Sequence, residues 1–303
     1  MQSNILGRTD LRVSRLGFGT SEIGLNLALE DKKNISAIFS YALDNGINFI
    51  DTAASYGISE QIIGESISHR RSEFILASKT GHSVLGKDWT YDNIIQSVDK
   101  SLRLLKTDYI DIMQLHGTDV ASLEKGDVIR ALQDSKAEGK IRFIGYSGGN
   151  QDAYWAITSG LFDTIQTSFN IVDQYAKNNF FHEIKKRNIG LIIKRPIANA
   201  VWGKNKNSII YSHIPDYTDE YFQRSRKMKK IISKINYPED DIFLALKFTL
   251  SFEQVQTAIV GTQNIFHLRN NIKIMESKLK ISDQVIDELC RIWSDISDGW
   301  EQK

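Results

Sequence analysis

This sequence predicts an α/β fold, a single-domain (β/α)8 barrel with a short N-terminal β-hairpin, and three observations predict it. First, short apolar strand patterns recur eight times, at Leu16–Thr20 and ending near Asp51, Lys79, His116, Ser147, Gln166, Arg195 and Gly261. Second, helical patterns follow most of them, and repeated strand–helix units make a parallel sheet that closes at eight strands. Third, no linker or low-complexity tract divides the 303 residues, so residues 1–303 read as one barrel.

The elements follow in order. Gly7-Arg8-Thr9-Asp10 is a turn signal between two short segments, a hairpin. Leu16-Gly17-Phe18-Gly19-Thr20 is the first barrel strand. Its glycines do not make a dinucleotide-binding fingerprint, because Gly17, Gly19 and Gly24 are wrongly spaced and no helix opens directly after them. Asn34 to Asn45 places Ile35, Ile38, Phe39, Ala42 and Leu43 on one helical face. Ile47, Phe49 and Ile50 form a buried strand that ends at Asp51. The chain then passes Tyr56-Gly57 and enters a helix at Ser59, a good N-cap. Phe74–Thr80 and Tyr109–His116 are further strands, ending near Lys79 and at His116. Tyr91–Leu105 is helical, with Thr90 as its N-cap and Trp89 in the position of a hydrophobic staple. Val128–Glu138, Asn178–Arg187 and Ile265–Met275 complete the helical patterns.

Composition narrows the partners. The formal net charge is +1, and no basic stripe points to nucleic acid. The run Arg224–Lys230 reads as the solvated face of a helix. Cys290 is the only cysteine, which excludes an intrachain disulfide and fits a reducing compartment. With no leader pattern and no apolar run of membrane-spanning length, the expectation is a cytoplasmic protein. No metal-ligand spacing is present.

The functional signal lies in four strand-end residues. A lysine in an apolar strand end is costly unless paired, because burial disfavours the ammonium. Asp51 is the evident partner of Lys79. Barrel active sites lie at the C-terminal ends of the strands, and Asp51, Tyr56, Lys79 and His116 all fall there. The pattern Asp51-Thr52-Ala53-x-x-Tyr56-Gly57-x-Ser59-Glu60, then Lys79, then Ser101-Leu102 through Asp108-Tyr109-Ile110-Asp111 to His116, resembles the aldo-keto reductase superfamily over nearly the whole chain. The resemblance implies a hairpin plugging the barrel floor, a nicotinamide cofactor, a small carbonyl or alcohol substrate, and a catalytic tetrad at Asp51, Tyr56, Lys79 and His116. Hydride transfer to a carbonyl leaves an alkoxide that needs a proton. Tyr56 supplies it, Lys79 stabilises the phenolate, Asp51 holds Lys79, and His116 orients the carbonyl oxygen.

The same resemblance implies the cofactor contacts. Ser147 and Gln166 match the family's carboxamide-binding positions, although Gly148 stands where the family often has Asn, leaving Asn150 or Asn170 as replacements. Arg195-Pro196 stands where an aromatic often stacks on the nicotinamide. Arg195 can stack through its planar guanidinium or favour an anionic substrate. Gly19 and Thr20 let the ligand approach the backbone. Gly261-Thr262-Gln263-Asn264, with His267 and Asn271, matches the adenosine-end pocket. Gln263 replaces the usual basic residue there, which weakens the case for a 2′-phosphate. The expected cofactor is NADP(H), with NAD(H) also accepted. Trp202 is the pocket-wall candidate, with Tyr211 and Trp300 as further possibilities, and the tail after Asp295 is short enough to cover little of the pocket. Two other readings compete with a reductase: a Schiff-base lyase using Lys79 or Lys194, and a non-catalytic cofactor-binding sensor.

Overall fold

The computed structural model of the chain describes residues 1–26, 31–83, 86–202, 215–232, 240–277 and 279–302. Strands β1 (Ser3–Ile5) and β2 (Arg12–Ser14) pair antiparallel as the expected hairpin. The barrel strands are β3 (Leu16–Gly19), β4 (Phe49–Asp51), β5 (Ile75–Thr80), β8 (Ile110–His116), β9 (Ile141–Ser147), β10 (Thr164–Ser168), β11 (Gly190–Lys194) and β12 (Thr257–Gly261). All eight pair in parallel in chain order, and β12 closes on β3. A two-residue pair, β6 (His82–Ser83) and β7 (Gly86–Lys87), decorates the loop after β5.

Two apolar cores follow from the alternation of side chains along a strand. The larger lies between the barrel and its helices and includes Phe39, Ile62, Met113, Leu132, Phe169 and Phe248. The smaller fills the lower barrel, where Leu6, Leu11 and Val13 of the hairpin region meet Phe49, Ala77, Ile112, Ile192 and Ile259. The hairpin therefore plugs the floor, and Asp51, Lys79 and Gln166 lie above that apolar layer.

Most helices fall where periodicity puts them: Lys32–Asp44, Tyr91–Leu105, Asp127–Ala137 and Ile265–Glu276. Thr90 caps its helix by accepting from the Asn93 amide. Four readings are corrected. Ser59 is the first helical residue and not the cap. Its hydroxyl turns inward to Thr20 and Thr52, because two buried hydroxyls need a partner. The expected helix Asn178–Arg187 is two pieces, Tyr175–Asn179 and Phe181–Arg187, broken where the Phe180 ring is drawn into the core. Strand β10 runs on to Ser168, past Gln166, whereas β11 stops at Lys194 because Arg195 turns left-handed. Finally, the basic run is not uniformly solvated: Arg224 is buried, with its guanidinium over the Trp300 ring and bonded to the Glu301 carbonyl.

Candidate active site

The centre of the barrel mouth is an ion pair that the β4–β5 register builds. Asp51 ends β4 beside Ala77, two residues before Lys79, so both side chains point inward. Lys79 Nζ donates to Asp51 Oδ2 at 2.6 Å and to the Thr52 carbonyl at 2.8 Å. Burial alone would push the Lys79 pKa down, but the charge of Asp51, together with Tyr56, outweighs it and holds the pKa above its ordinary value. Lys79 is therefore a fixed ammonium.

Tyr56 arrives from the loop between β4 and the helix Ser59–Ile67. Its backbone N–H bonds the Ala53 carbonyl, and Lys79 Nζ lies 4.9 Å from its ring centroid. The expected downward pull of Lys79 on the phenol is present but does not win. Burial, with help from Asp51, keeps the Tyr56 pKa above the ordinary phenol value. Tyr56 thus holds its proton at neutral pH.

His116 ends β8, with its ring 5.9 Å from that of Tyr56 in an edge-on arrangement. Burial, then the charges of Lys79, Lys194 and Arg195 and the neighbouring His82, hold its pKa well below the usual histidine value, so it is a neutral imidazole. Its Nδ1 is 3.4 Å from Ser55 Oγ. His82 stacks at 5.0 Å from His116 and at 5.4 Å from Trp89, and Trp89 lies against Gly81, where any Cβ would strike its ring. Sequence reasoning missed His82 and read Trp89 only as a staple. Its position just after β5 was the available signal.

Asp51 is tied to the next strands as well. Gln166 Nε2 donates to Asp51 Oδ1 at 2.6 Å, and Ser147 Oγ donates to Gln166 Oε1 at 3.0 Å. The two residues matched to carboxamide binding are thus continuous with the ion pair. Thr20 is fully buried and bonds the Asp51 carbonyl through both its amide and its hydroxyl. Its side chain props the strand end that carries Asp51.

Across the mouth, Asn264 caps the helix Ile265–Glu276 by accepting from the Phe266 amide, and Thr262 Oγ1 accepts from the Asn264 amide. Gln263 and His267 are exposed there, Asn271 is buried, and Arg269 lies over the Tyr41 and Phe266 rings. Asn170 bonds the Arg195 carbonyl, and Arg195 Nη1 bonds Ser168 Oγ at 2.9 Å. Pro196 is buried and its carbonyl accepts from Thr249. Trp202 lies in the main core, and Tyr211 falls outside the described residues.

The tail does more than its length promised. Gln302 is 5% exposed. Its Nε2 donates to the Ser168 carbonyl at 2.6 Å, its Oε1 accepts from the Asn150 amide, and the Asn150 side chain bonds both backbone groups of Gln302. Gln302 thus caps the helix Asn150–Ser159, whose own N-cap, Gly149, has no side chain to do so.

The donor set suits a nicotinamide dinucleotide. Buried amide and hydroxyl groups stand beside the acid–base centre, and a capped helix N-terminus suited to phosphate lies across the mouth. A closed (β/α)8 barrel with half-buried Tyr56 and His116 set around a buried Lys79–Asp51 pair defines the class, a barrel oxidoreductase. The aldo/keto reductase family model matches residues 15–294, and the chain belongs to that family, whose members are NAD(P)-dependent carbonyl oxidoreductases. It is 28% identical to L-galactose dehydrogenase of Arabidopsis thaliana, over 88% of this chain and 86% of that one. It is likewise 28% identical to the NADH-specific methylglyoxal reductase of Escherichia coli, over 75% of this chain and 76% of that one. Among solved structures, the holo form of an aldo-keto reductase from Bacillus halodurans superposes with a TM-score of 0.81 at 26% identity, covering 96% of each chain. Among the described residues, no helix is long and apolar enough to cross a membrane, and no cluster of three His, Cys, Asp or Glu side chains is placed to hold a metal ion.

Proposed function

We propose that the chain reduces an aldehyde or ketone to an alcohol, or runs the reverse reaction, with Tyr56 as the general acid. The observation that carries this is the Tyr56 ring set 4.9 Å from the Lys79 ammonium, which Asp51 bonds at 2.6 Å. When bound, the nicotinamide cofactor supplies the hydride. Ser147 and Gln166 would hold its carboxamide, and Gly19, Gly261, Thr262, Asn264 and Asn271 would line the side that receives the rest of the dinucleotide. Tyr56 gives its proton to the carbonyl oxygen as negative charge develops there. Lys79 stabilises the phenolate left behind, and each pKa unit of that stabilisation is worth about 1.4 kcal/mol. Neutral His116 donates from Nε2 to the same oxygen, and in that tautomer its Nδ1 can accept from the Ser55 hydroxyl.

Lys79 is unsuited to Schiff-base chemistry, since an amine bonded to a carboxylate at 2.6 Å stays protonated. An NAD(P)H oxidation survey across aldehydes, ketones and sugars tests the reading. Turnover of at least one class is expected, and cofactor binding with no turnover of any would favour the non-catalytic sensor.

Both cofactors are accepted, with NADPH only modestly preferred. Gln263 offers no charge to a 2′-phosphate and Arg269 is engaged with Tyr41. The NADH-specific relative is in line with a loop that tolerates the unphosphorylated form. Tryptophan-quenching titrations with NADH and NADPH check this. A preference above roughly a thousandfold, about 4 kcal/mol, would mean another residue holds the phosphate.

A further inference from the structure

His116 is the last residue of β8, and what it can do depends on where its ring points. An imidazole N–H must meet an oxygen within about 2.7–3.2 Å to form a firm hydrogen bond. The plane of such a ring is commonly fixed by a second bond at its other nitrogen. Among the described residues the His116 ring makes one hydrogen bond, from Nδ1 to Ser55 Oγ, and at 3.4 Å it is too long to fix the plane. Rings hold it instead. Tyr56 meets it edge-on at 5.9 Å and 83°, and His82 lies over it at 5.0 Å with a tilt of 30°. Both separations fall in the range of about 4.5–7 Å in which aromatic pairs attract.

His82 is itself backed by a ring. Trp89 packs on it at 5.4 Å and 44°. The two meet because the chain doubles back between them. His82 pairs antiparallel with Lys87, and the Asp88 amide bonds the Gly81 carbonyl at 3.1 Å. Gly81 makes this geometry possible: its φ is +92°, and a Cβ there would lie 1.7 Å from the Trp89 ring. Trp89 in turn packs against the main core and stands directly before Thr90, the cap of the helix Tyr91–Leu105. The column Trp89–His82–His116 therefore runs from the helix layer to the barrel mouth. The loop after β5, with its glycine and its two-residue strand pair, has the shape that builds it.

We infer that His82 is a positioning residue for the reaction: stacked between Trp89 and His116, it fixes the plane of the His116 imidazole so that Nε2 meets the carbonyl oxygen. This rests on the reductase reading above. His82 acts through His116, so its loss lowers the rate of the chemical step and leaves cofactor binding alone. The other use of a ring at this place, a wall of the substrate pocket, would show in KM for bulky carbonyls and not in kcat.

The test is a cycle of His82 and His116 variants of the full chain. Each is assayed with propanal and benzaldehyde, or the closest aliphatic and aromatic pair that wild type turns over, and its cofactor affinity is read by tryptophan quenching. His82→Ala should lower kcat on both aldehydes by about 10–100-fold, the upper figure being what a misplacement of about 1 Å costs, with NAD(P)H affinity unchanged. His82→Phe, which restores a flat ring without the nitrogens, should recover most of the rate. Gly81→Ala, which drives a methyl group into the Trp89 ring, should reproduce the loss from the other end of the column. In a His116→Gln background His82→Ala should cost nothing further, because the ring it positions is gone. Full turnover in His82→Ala, no recovery in His82→Phe, or an equal loss with and without His116 would each overturn the proposal and leave the reductase reading intact. A rise in KM for the aromatic aldehyde alone, with kcat unchanged, would make His82 a pocket wall and likewise overturn it. Absence of any carbonyl reduction by wild type would instead contradict the reading on which the proposal rests.

Discussion

At the floor of the barrel, Leu6, Leu11 and Val13 close the interior with apolar side chains, and the charges nearby are paired at its edge: Arg71 and Arg142 on Asp111, and Arg142 again on Asp10. At the mouth, Asp51 and Lys79 are buried as an ion pair, and the charge of Arg195 acts on Tyr56 and His116. The backbone differs in the same sense. Left-handed residues in the helix-to-strand connections at the floor are Gly46, Gly139 and Gly160, or the helix-ending Lys106 and Asn188. In the strand-to-helix loops at the mouth they include Asn150, Arg195, Ala198, Asn199 and Ala200. At the floor these positions are glycine or asparagine, with Lys106 the exception. The mouth has Gly57, Gly81 and Gly117 too, but adds Arg195, Ala198 and Ala200, residues that the left-handed region disfavours, and such strain clusters at functional sites. On the proposed reading the apolar plug is at one end of the barrel and the chemistry at the other, and substitutions at the two ends should separate stability from turnover.

The largest expected effect is at the mouth. Lys79→Met should abolish reduction and, by leaving Asp51 buried without its partner, cost about 3–5 kcal/mol in urea unfolding. Asp51→Asn should be less damaging to turnover, since Asp51 acts through Lys79. A more severe loss in Asp51→Asn than in Lys79→Met, in folded protein, would show that the roles are misassigned.

At the floor the pattern should invert. Leu11→Ala removes a side chain that is 3% exposed and should destabilise by about 2–5 kcal/mol, while kcat per folded molecule stays at the wild-type value. A fall in kcat without a fall in stability would erase the distinction between the two ends.

Gln302→Ala is the smallest. It removes the tail's cap on the helix Asn150–Ser159 and its bond to the Ser168 carbonyl, at about 1 kcal/mol for a typical hydrogen bond. Cofactor affinity, read by tryptophan quenching, should weaken a few-fold with kcat nearly preserved, because the loop held carries Ser147. An unchanged affinity would reduce Gln302 to a packing residue.

Much of the mouth was legible in the sequence because polar residues at the ends of apolar strands have few other uses. Asp51, Lys79 and His116 announced themselves in this way, and Thr90 capped its helix as its position required. What escaped depends on tertiary geometry. Gln302 lies 152 residues from Asn150, and nothing local marks their bond. The end of β11 at Lys194 depends on the positive φ of Arg195, which periodicity does not reveal. The pull of Lys79 on the Tyr56 phenol could be read from the sequence, whereas the depth of burial opposing it could not.

The central claim is that Tyr56 is the acid, and the pH profile of carbonyl reduction in wild type and Tyr56→Phe tests it most directly. With the His116 pKa lowered, the imidazole is neutral above its ordinary value of about 6.5, and with the Tyr56 pKa raised, the phenol stays protonated past its ordinary value of about 10. Wild-type kcat should therefore be flat between those limits and fall only above them, as the proton is lost. Tyr56→Phe should lower the plateau by about 10²–10⁴-fold and abolish the alkaline fall, with cofactor affinity nearly intact. A Tyr56→Phe enzyme with near wild-type turnover, or one that keeps the alkaline limb, would contradict the account.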